Sequence, residues 1–370
     1  MVLNKIDILD FKNIADAGLE FSPGVNCLLG MNGMGKSNLL EAIHFLSFAR
    51  SASSIPDNAL IRHGSQSLLV KGEYSSDNGT TDTVACGITS GKGKSLKLNG
   101  KEYQRISEHI GRFPIVTVSP ADSRLVEGSG EERRRLMDMV ISQADGAYLS
   151  HLIRYGKALD SRNRMLRSGM KDALLYESVE QAMQTASEAI FAARKEWTER
   201  ISPVFASYYA EVSGEAEKAS LAYRSQLQGT TLPDVLKETR AKDLALGFTS
   251  HGVHRDDLEM KLDGYSARRL GSQGQVKTFT IALRFAIFDY LKHTGGKTPI
   301  LLLDDIFDKL DAGRVGRIME LVSTGRDFGQ IFITDTNRKH LDEIIDGIGG
   351  DRLLLEVSHG TFSLMKDSGK

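Results

Sequence analysis

The most informative segment of the chain reads Gly30-Met31-Asn32-Gly33-Met34-Gly35-Lys36-Ser37. It follows the pattern G-x-x-x-x-G-K-S, with an apolar strand predicted over residues 25–29 before it and an apolar helix over residues 38–46 after it. In such a loop, glycines allow tight turns whose backbone N–H groups point inward, and the helix N-terminus adds partial positive charge. The segment from Gly30 to Asn38 therefore predicts a binding site for the phosphates of a nucleoside triphosphate.

Lys36 and Ser37 carry the chemistry expected of this site. Lys36 is predicted to reach the β- and γ-phosphate oxygens, and the Ser37 hydroxyl to complete a Mg²⁺ shell. Lys12 and Asn13 lie in a turn after the strand predicted over residues 2–11, and both are candidates for the rim of the nucleotide, as is Arg50 after the first helix. A glycine-rich turn could match the motif by chance, but the strand before it and the helix after it both agree with a phosphate loop.

The composition of the chain narrows the class of protein. Its 370 residues allow one large or two ordinary domains, and 47 Lys and Arg against 48 Asp and Glu give a net charge of −1. Any contact with nucleic acid must therefore come from a local basic surface. Cys27 and Cys86 are too few for a disulfide framework or a zinc site, which favours a reducing compartment. With no signal-peptide pattern and no apolar run of ~18–20 residues, the protein is expected to be cytoplasmic.

A pair of acidic residues ends the apolar run over residues 299–303. Such a run without alternation is typical of a parallel strand buried on both faces, and it leads directly into Asp304 and Asp305. Adjacent carboxylates at the end of a buried strand are costly unless they face metal and water. Asp304 therefore fits a Mg²⁺ ligand, and Asp305 fits the residue that positions or deprotonates an attacking water. The alternative is a capped strand end with no chemistry.

A second glycine-bearing helix start lies at residues 270–275, with the sequence Leu-Gly-Ser-Gln-Gly-Gln. Its helix is predicted to run to about residue 292, so that backbone N–H groups and the Ser272 hydroxyl can face an anion. A further buried strand over residues 330–334 would end at the same sheet edge as the other motifs. The tail adds a predicted helix, two strands and a disordered end. The chain thus carries two half-sites for phosphate.

The middle of the chain has a different character. Residues 129–212 show almost no strand signal, and helices are predicted over residues 131–143, 148–167 and 172–209, with Pro203 breaking or kinking the last one. The expected organisation is an N-terminal half of a nucleotide-binding head (1–122), a helical arm (123–248) and the C-terminal half of the head (249–370).

The predicted arm is rich in cations. Its basic side chains either contact DNA phosphates or form a solvated face balanced by nearby acids, and the sequence leaves both interpretations open. The residues concerned are Arg133, Arg134, Arg135, Arg154, Lys157, Arg162, Arg164, Arg167 and Lys171.

The phosphate loop, the Ser272-Gln273-Gly274-Gln275 helix start, the Asp304-Asp305 pair and Asp311 together resemble the head of an ABC-type ATPase. The resemblance implies an α/β fold, a P-loop ATPase head with a mixed sheet and helices and an inserted, mainly helical arm domain, and it implies ATP and Mg²⁺ as ligands. It also implies that Ser272 and Gly274 close over the γ-phosphate bound by a second subunit, so that ATP joins two heads and hydrolysis releases them. Gln275 and Asp311 belong to the same implied nucleotide-binding set.

The order of further blocks along residues 2–337 resembles the RecF family of bacterial recombination-repair ATPases. That resemblance implies an ATP-dependent homodimer that binds DNA at gaps or at single-strand/double-strand junctions. It also implies work with RecO and RecR to load RecA, and slow hydrolysis that resets the protein. The blocks are Phe11-Lys12-Asn13, Ser119-Pro120-Ala121-Asp122, Gly128 with Arg133-Arg134-Arg135 and Asp138, His254-Arg255-Asp256-Asp257, and Leu303-Asp304-Asp305-Ile306-Phe307 with Leu310-Asp311.

Three features depart from the ABC pattern, and the first is that residues 119–126 lack the usual switch glutamine. The strand end Thr334-Asp335-Thr336 lacks the histidine with which many ABC ATPases sense the γ-phosphate, and Asp305 stands where transporters more often have glutamate, which predicts slower hydrolysis. The alternatives are a nucleotide-binding subunit of a membrane transporter, a tethering ATPase of the SMC or Rad50 type, and an ATPase fused to an OLD-type nuclease. The helical arm argues against the first, the lack of sustained heptads against the second, and the remaining length against the third.

Overall fold

The computed structural model describes residues 1–53, 55–76, 78–308, 310–325, 328–347 and 351–365. Its N-terminal part contains β1 (Val2–Phe11), β2 (Ile14–Glu20), β3 (Val25–Leu29), α1 (Lys36–Phe48), β4 (Ser67–Ser75), β5 (Thr81–Thr89), β6 (Gly93–Leu98), β7 (Lys101–Glu102) and β8 (Ile115–Val118). The middle contains α2 (Ser123–Glu127), α3 (Gly130–Ala144), α4 (Gly146–Arg167), α5 (Ala173–Ser213), β9 (Ala219–Arg224) and α6 (Leu232–Leu246). The remainder contains β10 (Asp257–Leu262), β11 (Tyr265–Ser266), α7 (Ala267–Leu270), α8 (Gln273–Gly295), β12 (Ile300–Asp304), α9 (Ala312–Glu320), β13 (Ile331–Asp335), α10 (Arg338–Gly347), β14 (Arg352–Ser358) and β15 (Thr361–Leu364).

The strands that carry the sequence motifs lie in one sheet, in the order β15-β14-β3-β13-β12-β8. Its members pair in parallel except β15, which is antiparallel to β14. Leu301, Leu302 and Leu303 of β12 are fully buried, which confirms the prediction of a strand covered on both faces. Because the strands are parallel, the carboxyl ends of β3, β12 and β13 meet at one edge of the sheet.

A second sheet is antiparallel, in the order β2-β1-β4-β5-β6-β7, and lies against the other side of α1. Along β4, Leu68 and Val70 are buried while Leu69 between them is exposed, as expected for a sheet with one covered face. Helix α1 contacts strands of both sheets, and its side chains from Leu39 to Phe48 are buried. Enclosure between two sheets explains why this helix is apolar on nearly every face.

The predicted helices of the arm are confirmed, and of the break or kink predicted at Pro203 the break is wrong. Helix α5 continues through this residue, and Ile201 and Phe205 on either side are buried. Phe205 packs against Phe279 of α8 with 4.6 Å between ring centroids, and such packing compensates for the hydrogen bond that proline cannot donate. Despite the length of α5, no helix within the described ranges is both long and apolar enough to cross a membrane.

The last part of the predicted arm, after α5, contains β9 and α6, which the sequence pattern does not predict. Strand β9 pairs with β10 in a small sheet of order β11-β10-β9, so this sheet joins residues on both sides of the boundary drawn at residue 248. The division into residues 1–122, 123–248 and 249–370 stays a proposal. The helix and two strands predicted for the tail are present as α10, β14 and β15, and the predicted disordered end, residues 366–370, lies outside the described residues.

Two of the three arginines in the basic run attach the arm to the head. Arg133 donates from Nε and Nη2 to the two carboxylate oxygens of Asp257 at 2.6 and 2.9 Å. Arg134 donates to the backbone oxygen of Asp256 at 2.6 Å. Arg135 is half exposed and pairs with Glu131 one turn earlier in α3. The basic run is therefore largely structural.

Arg162 faces neither solvent nor DNA, so both interpretations of the cationic arm are wrong for this residue. It is fully buried, and it donates to Asp243 at 2.8 Å, to Glu180 at 2.9 Å and to the hydroxyl of Thr249 at 2.8 Å. These partners come from α5, α6 and the chain after α6, so Arg162 joins the elements at the end of the arm.

Replacing Arg162 with methionine is expected to destabilise the arm by about 3–5 kcal/mol, because the buried Asp243 carboxylate loses its ion-pair partner. Trp197, the single tryptophan of the chain, lies buried in α5, so its fluorescence during urea unfolding reports on the arm. Arg164→Met on the exposed side of α4 is the matched control, with an expected change within about 0.5 kcal/mol. Equal stability of the two variants would contradict the structural role of Arg162.

Candidate nucleotide site

The phosphate loop lies between β3 and α1, in contact with residues from both ends of the chain. Gly33 and Gly35 have φ angles of +80° and +116°, which favour glycine, and a Cβ at Gly35 would lie 3.0 Å from the Asn13 amide. A Cβ at Gly30 would lie 2.4 Å from the backbone oxygen of Val357. Backbone conformation therefore favours glycine at position 33, close packing requires it at position 30, and both reasons apply at position 35.

Lys36 is buried within the loop that precedes it. Its Nζ donates to the backbone oxygens of Gly30 at 2.5 Å and of Met31 at 3.0 Å. Burial lowers the pKa of Lys36, while the charges of Asp305, Asp304 and Asp335 act in the opposite direction. The ammonium group is thus held inside the loop, where a phosphate oxygen can replace a carbonyl oxygen as its partner.

Ser37 and Asp304 meet at the sheet edge. The Ser37 hydroxyl donates to Oδ1 of Asp304 at 2.8 Å, and the Thr334 hydroxyl donates to the same oxygen at 2.8 Å. Burial raises the pKa of Asp304, and the two hydroxyl donors partly offset this effect. A hydroxyl and a carboxylate at this separation are the hard oxygen donors that Mg²⁺ prefers, so these residues fit the metal. Thr334 was missed as a site residue, although the sequence placed its strand end at this edge.

Asp305 occupies a constrained position next to this pair. Its φ is +49°, which is uncommon for a residue other than glycine, and its backbone N–H donates to the Thr334 hydroxyl at 3.0 Å. Lys277 of α8 donates to the backbone oxygens of Asp305 at 3.1 Å and Asp308 at 2.5 Å. These contacts fix the backbone that carries the Asp305 carboxylate. The sequence did not indicate Lys277.

A cavity of about 120 Å³ brings eight of the predicted residues together with Thr334. Asn13 lies beside it, because its Oδ1 accepts a hydrogen bond from Asn38 at 2.7 Å. Lys12 instead directs its ammonium to the carboxylate of Glu41, so the nucleotide-rim interpretation of Lys12 stays a prediction. The lining residues are Asn32, Gly33, Gly35, Lys36, Ser37, Asn38, Asp304, Asp305 and Thr334.

Ser272 and Gly274 do not line this cavity and lie at the start of α8. The Ser272 hydroxyl accepts from the Gln275 N–H at 3.3 Å, and the Gln275 side chain accepts from the Ser272 N–H at 2.8 Å. This capping box fixes the start of the helix while Ser272 stays exposed. Ser272 is therefore accessible to a group outside its own chain.

Asp311 belongs to the same part of the surface as Ser272 through a chain of contacts. Gln275 donates to Glu217 at 2.8 Å, and Arg314 lies 3.6 Å from Glu217 and 3.4 Å from the Asp311 carboxylate. Asp311 caps α9, and the hydrogen bond from the Arg314 backbone N–H lowers the pKa of its carboxyl group. The candidate residues thus form two groups, one around the phosphate loop and one around Ser272.

A histidine lies near the end of β13 after all. The ring nitrogen Nδ1 of His340, on α10, is 2.9 Å from Oδ2 of Asp335. His340 follows the strand end by five residues, which is why inspection of the segment Thr334-Asp335-Thr336 alone did not find it.

Comparisons with known proteins agree with this arrangement. The family described as "RecF/RecN/SMC N terminal domain" matches residues 2–350. A protein of Porphyromonas gingivalis named DNA replication and repair protein RecF is 50% identical over 361 residues, covering 97% of this chain and 99% of that protein. A protein of the same name from Phocaeicola vulgatus is 48% identical over 369 residues, covering 99% of each chain.

Solved structures extend the likeness to the fold. A structure of the recombination mediator protein RecF with ATP in the RecFOR pathway superposes with a TM-score of 0.88 at 27% identity, covering 99% of this chain and 98% of that chain. An SMC head bound to the C-terminal winged-helix domain of ScpA gives a TM-score of 0.60 at 17% identity, covering 99% and 97%, a likeness of fold alone. The architecture is therefore that of an ABC-type ATPase head, as the sequence predicts. The identity to curated relatives along nearly the whole chain shows that this protein belongs to the RecF family.

Proposed function

We propose that this protein is an ATP-dependent DNA-binding protein of recombinational repair. The observation that carries this proposal is the convergence of Lys36, Ser37 and Asp304 at one sheet edge in a chain that matches RecF proteins over its whole length. ATP is the expected nucleotide because a similar structure is described with ATP. The proposed role in DNA repair is supported by the relatives, which are named DNA replication and repair proteins.

In the proposed reaction, ATP and water give ADP, inorganic phosphate and a proton. Backbone N–H groups of the loop and the Lys36 ammonium bind the β- and γ-phosphates, and Asp305 positions the attacking water and accepts its proton. Mg²⁺, held by Ser37 and Asp304, would neutralise charge on the phosphate oxygens. The Asp305 side chain is one methylene shorter than the glutamate common in transporters, which favours weak hydrolysis that serves as a switch.

The second group of residues is proposed to act on another copy of the chain. Ser272, Gly274, Gln275 and Asp311 lie together and outside the cavity of their own loop, while Ser272 and Asp311 are exposed. An exposed helix start of this kind can contact the γ-phosphate bound by a second subunit. ATP would then be enclosed between two subunits, and the protein would be a homodimer in the ATP state.

Ser272→Arg tests this arrangement without altering the phosphate loop. The larger side chain should prevent a second subunit from closing over the nucleotide, so we expect near-normal ATP affinity and loss of ATP-dependent dimerisation. Light scattering with and without ATP measures the dimer, and calorimetry measures the affinity. Lys261→Arg on β10 is a surface control that should dimerise normally. An ATP-dependent dimer of Ser272→Arg would count against the proposal.

DNA at gaps or at single-strand/double-strand junctions is the proposed substrate, and RecO, RecR and RecA are the proposed partners in a cytoplasmic pathway. The experiment that tests the function is fluorescence anisotropy of a labelled gapped duplex with the protein and ATP or ADP. Tighter binding with ATP is expected. Equal binding with the two nucleotides would refute ATP-dependent recognition.

Arg164 and Arg167 remain candidates for contact with DNA phosphates, because both are exposed on α4 whereas Arg162 is buried. If both contact duplex phosphates, replacing the pair by alanine should reduce the slope of log affinity against log salt by about 1.8, at ~0.9 per contact. Arg200→Ala on the exposed side of α5 serves as the control. An unaltered slope would assign Arg164 and Arg167 to solvent.

A further inference from the structure

A second, larger cavity of about 900 Å³ lies beside the phosphate loop. It begins at Ser37 and Asp304 and follows the face of α1 that carries Glu41 and His44. The turn after β8, the chain after α1 and one face of α3 complete its wall. Apart from Ser37, Asn38, Asp304 and the candidate Lys12, the proposed function uses none of the residues that line it.

His44 lines this cavity with a ring nitrogen that has no partner. Its side chain is 5% exposed, and Nδ1 makes no hydrogen bond within the described parts of the chain. The ring stacks on Phe48 with 4.6 Å between centroids. Burial, together with the charges of Arg50 and Arg284, lowers the pKa of His44 to about 3, so the imidazole is neutral at pH 7. A buried polar atom without a partner is costly, and a bound group that supplied one would be stabilised here.

Arg50 and Arg135 add positive charge to the same cavity. Arg50 packs over the Phe48 ring and makes no ion pair with a carboxylate of the described residues. Arg50 is exposed at the mouth of the cavity, and partial desolvation together with the Arg135 charge lowers its pKa, against the opposing effect of Asp138. Both guanidinium groups line the same cavity, and an anion between them would reduce the repulsion between two like charges.

The carboxylates that line the cavity leave the end near Arg50 positive, and an anion bound there would share Arg135 with Glu131 of the same helix, which lies 2.6 Å from it. Glu41 is paired with Lys12, and Asp122 with Arg284 at 2.6 Å. The other lining carboxylates are Asp304, at the metal end, and Glu132; Arg124 lines the wall as a further cation. Helix α1 has 13 residues, and a helix of this length spans ~20 Å, so Arg50 beyond its last turn lies far from Asp304 near its first.

We propose that this cavity binds a tetrahedral oxyanion between Arg50, Arg135 and His44, and that the oxyanion is the inorganic phosphate produced by ATP hydrolysis. The proposal rests on the proposed function, since hydrolysis supplies the ligand. Arginine forks and an imidazole N–H are donors that match phosphate oxygens. The cavity is larger than one phosphate requires, so the remaining space forms a path from Asp304 to the binding end. Because Arg50 follows α1 and Arg135 lies on α3, bound phosphate joins the head to the arm until it leaves.

The test is a calorimetric titration of inorganic phosphate into the full chain saturated with ADP and Mg²⁺. Saturable binding is expected, and Arg50→Ala and Arg135→Ala should each weaken it roughly tenfold, because each removes a charge-assisted hydrogen bond. His44→Phe keeps an aromatic ring against Phe48 and should weaken binding to a smaller extent. Arg200→Ala removes an exposed arginine of α5 outside the cavity and should leave the affinity unchanged. Trp197 fluorescence verifies that each variant is folded.

Four results would overturn the proposal. The first is unchanged phosphate affinity in both Arg50→Ala and Arg135→Ala, and the second is an equal loss in Arg200→Ala, which would indicate unspecific screening. The third is phosphate binding that depends on Lys36 but not on Arg50, because the ion then lies at the γ-phosphate position. The fourth is that inorganic phosphate does not bind while a single-stranded oligonucleotide binds and loses affinity in Arg50→Ala, because the ligand of the cavity is then a nucleic-acid backbone.

A second measurement connects the site with turnover. Added phosphate should inhibit steady-state ATP hydrolysis by the wild-type chain, and Arg50→Ala should require roughly tenfold more phosphate for the same inhibition. Equal inhibition of both proteins would contradict the proposed path. The two proposals fail separately, since absent ATP hydrolysis refutes the proposed function whatever the titration gives, and an Arg50-independent titration refutes the site even when hydrolysis is present.

Discussion

Replacing Lys36 with methionine should reduce the affinity for ATP by at least about a hundredfold, because two or more hydrogen bonds to charged phosphate oxygens are lost. The methionine keeps an unbranched stem of similar length and removes the ammonium group. That group is buried and donates to the backbone oxygens of Gly30 and Met31, so the substitution also leaves these loop oxygens without their donor. Calorimetry with ATP and Mg²⁺ measures the affinity directly.

Lys5→Met provides the matched control for this experiment. Lys5 lies on β1, is partly exposed and pairs with Asp7 at 3.4 Å, away from the phosphate loop. Its replacement removes an equal charge from the protein, and we expect ATP affinity to stay within about threefold of wild type, the scale of an ordinary surface substitution. Near-normal affinity in Lys36→Met would refute the assignment of the loop as the triphosphate site.

The nucleotide site was largely predictable because its contacts are local. Gly30, Gly33, Gly35 and Lys36 fall within seven positions of one another, and their roles follow from backbone conformation and helix geometry. The strand before the loop and the helix after it were likewise recognisable from their apolar residues. Local patterns of this kind do not require knowledge of which strands become neighbours.

Thr334 and Lys277 could not be found in this way, since their roles depend on pairing between distant segments. Thr334 reaches Asp304 because β12 and β13 pair in a register that sets these two residues side by side. Lys277 reaches the Asp305 backbone because α8 lies next to the turn after β12. Neither the register nor the helix position is encoded in a motif, and a shift of one residue would turn each strand side chain to the other face.

The arm illustrates the same limit for charged residues. Composition identifies its many cations but not their partners, and Arg162 finds Glu180 and Asp243 at separations of 18 and 81 positions along the chain. A buried ion pair and a solvated cation have the same appearance in a sequence. The break predicted at Pro203 failed for a related reason, because packing of α5 on α8 outweighed a local helix preference.

The residues proposed to face a second subunit are connected to the base of the arm. Glu217 follows the end of α5 and accepts hydrogen bonds from Gln275 at 2.8 Å and Tyr209 at 3.0 Å, with Arg314 at 3.6 Å. Arg314 in turn contacts Asp311. A displacement of α5 would therefore act on the helix start and on Asp311 together, which gives the arm a direct route to the proposed subunit contact.

Asp305→Asn should lower ATP turnover by at least roughly a hundredfold, as expected when a group that accepts a proton from water is removed. Asparagine has nearly the same shape and leaves the backbone contacts of Asp305 with Lys277 and Thr334 in place. ATP binding should therefore persist while hydrolysis stops, and the ATP-bound dimer should accumulate. Light scattering with Mg²⁺, with and without ATP, should show a mass that doubles only with ATP, and a short gapped duplex should stay bound to this dimer.

Asp308→Asn is the control, because it removes one negative charge from the same turn without removing the proposed proton acceptor. Asp308 is exposed in the same turn, and its described contact with Lys277 uses the backbone oxygen, so turnover should stay close to wild type. Unchanged turnover in Asp305→Asn would move the proton acceptor to another residue, and an equal loss in Asp308→Asn would point to the net charge of the turn. A protein that stays monomeric under all conditions would contradict a subunit contact at Ser272. A dimer that forms with ATP but does not bind the gapped duplex would show that dimerisation does not depend on DNA binding.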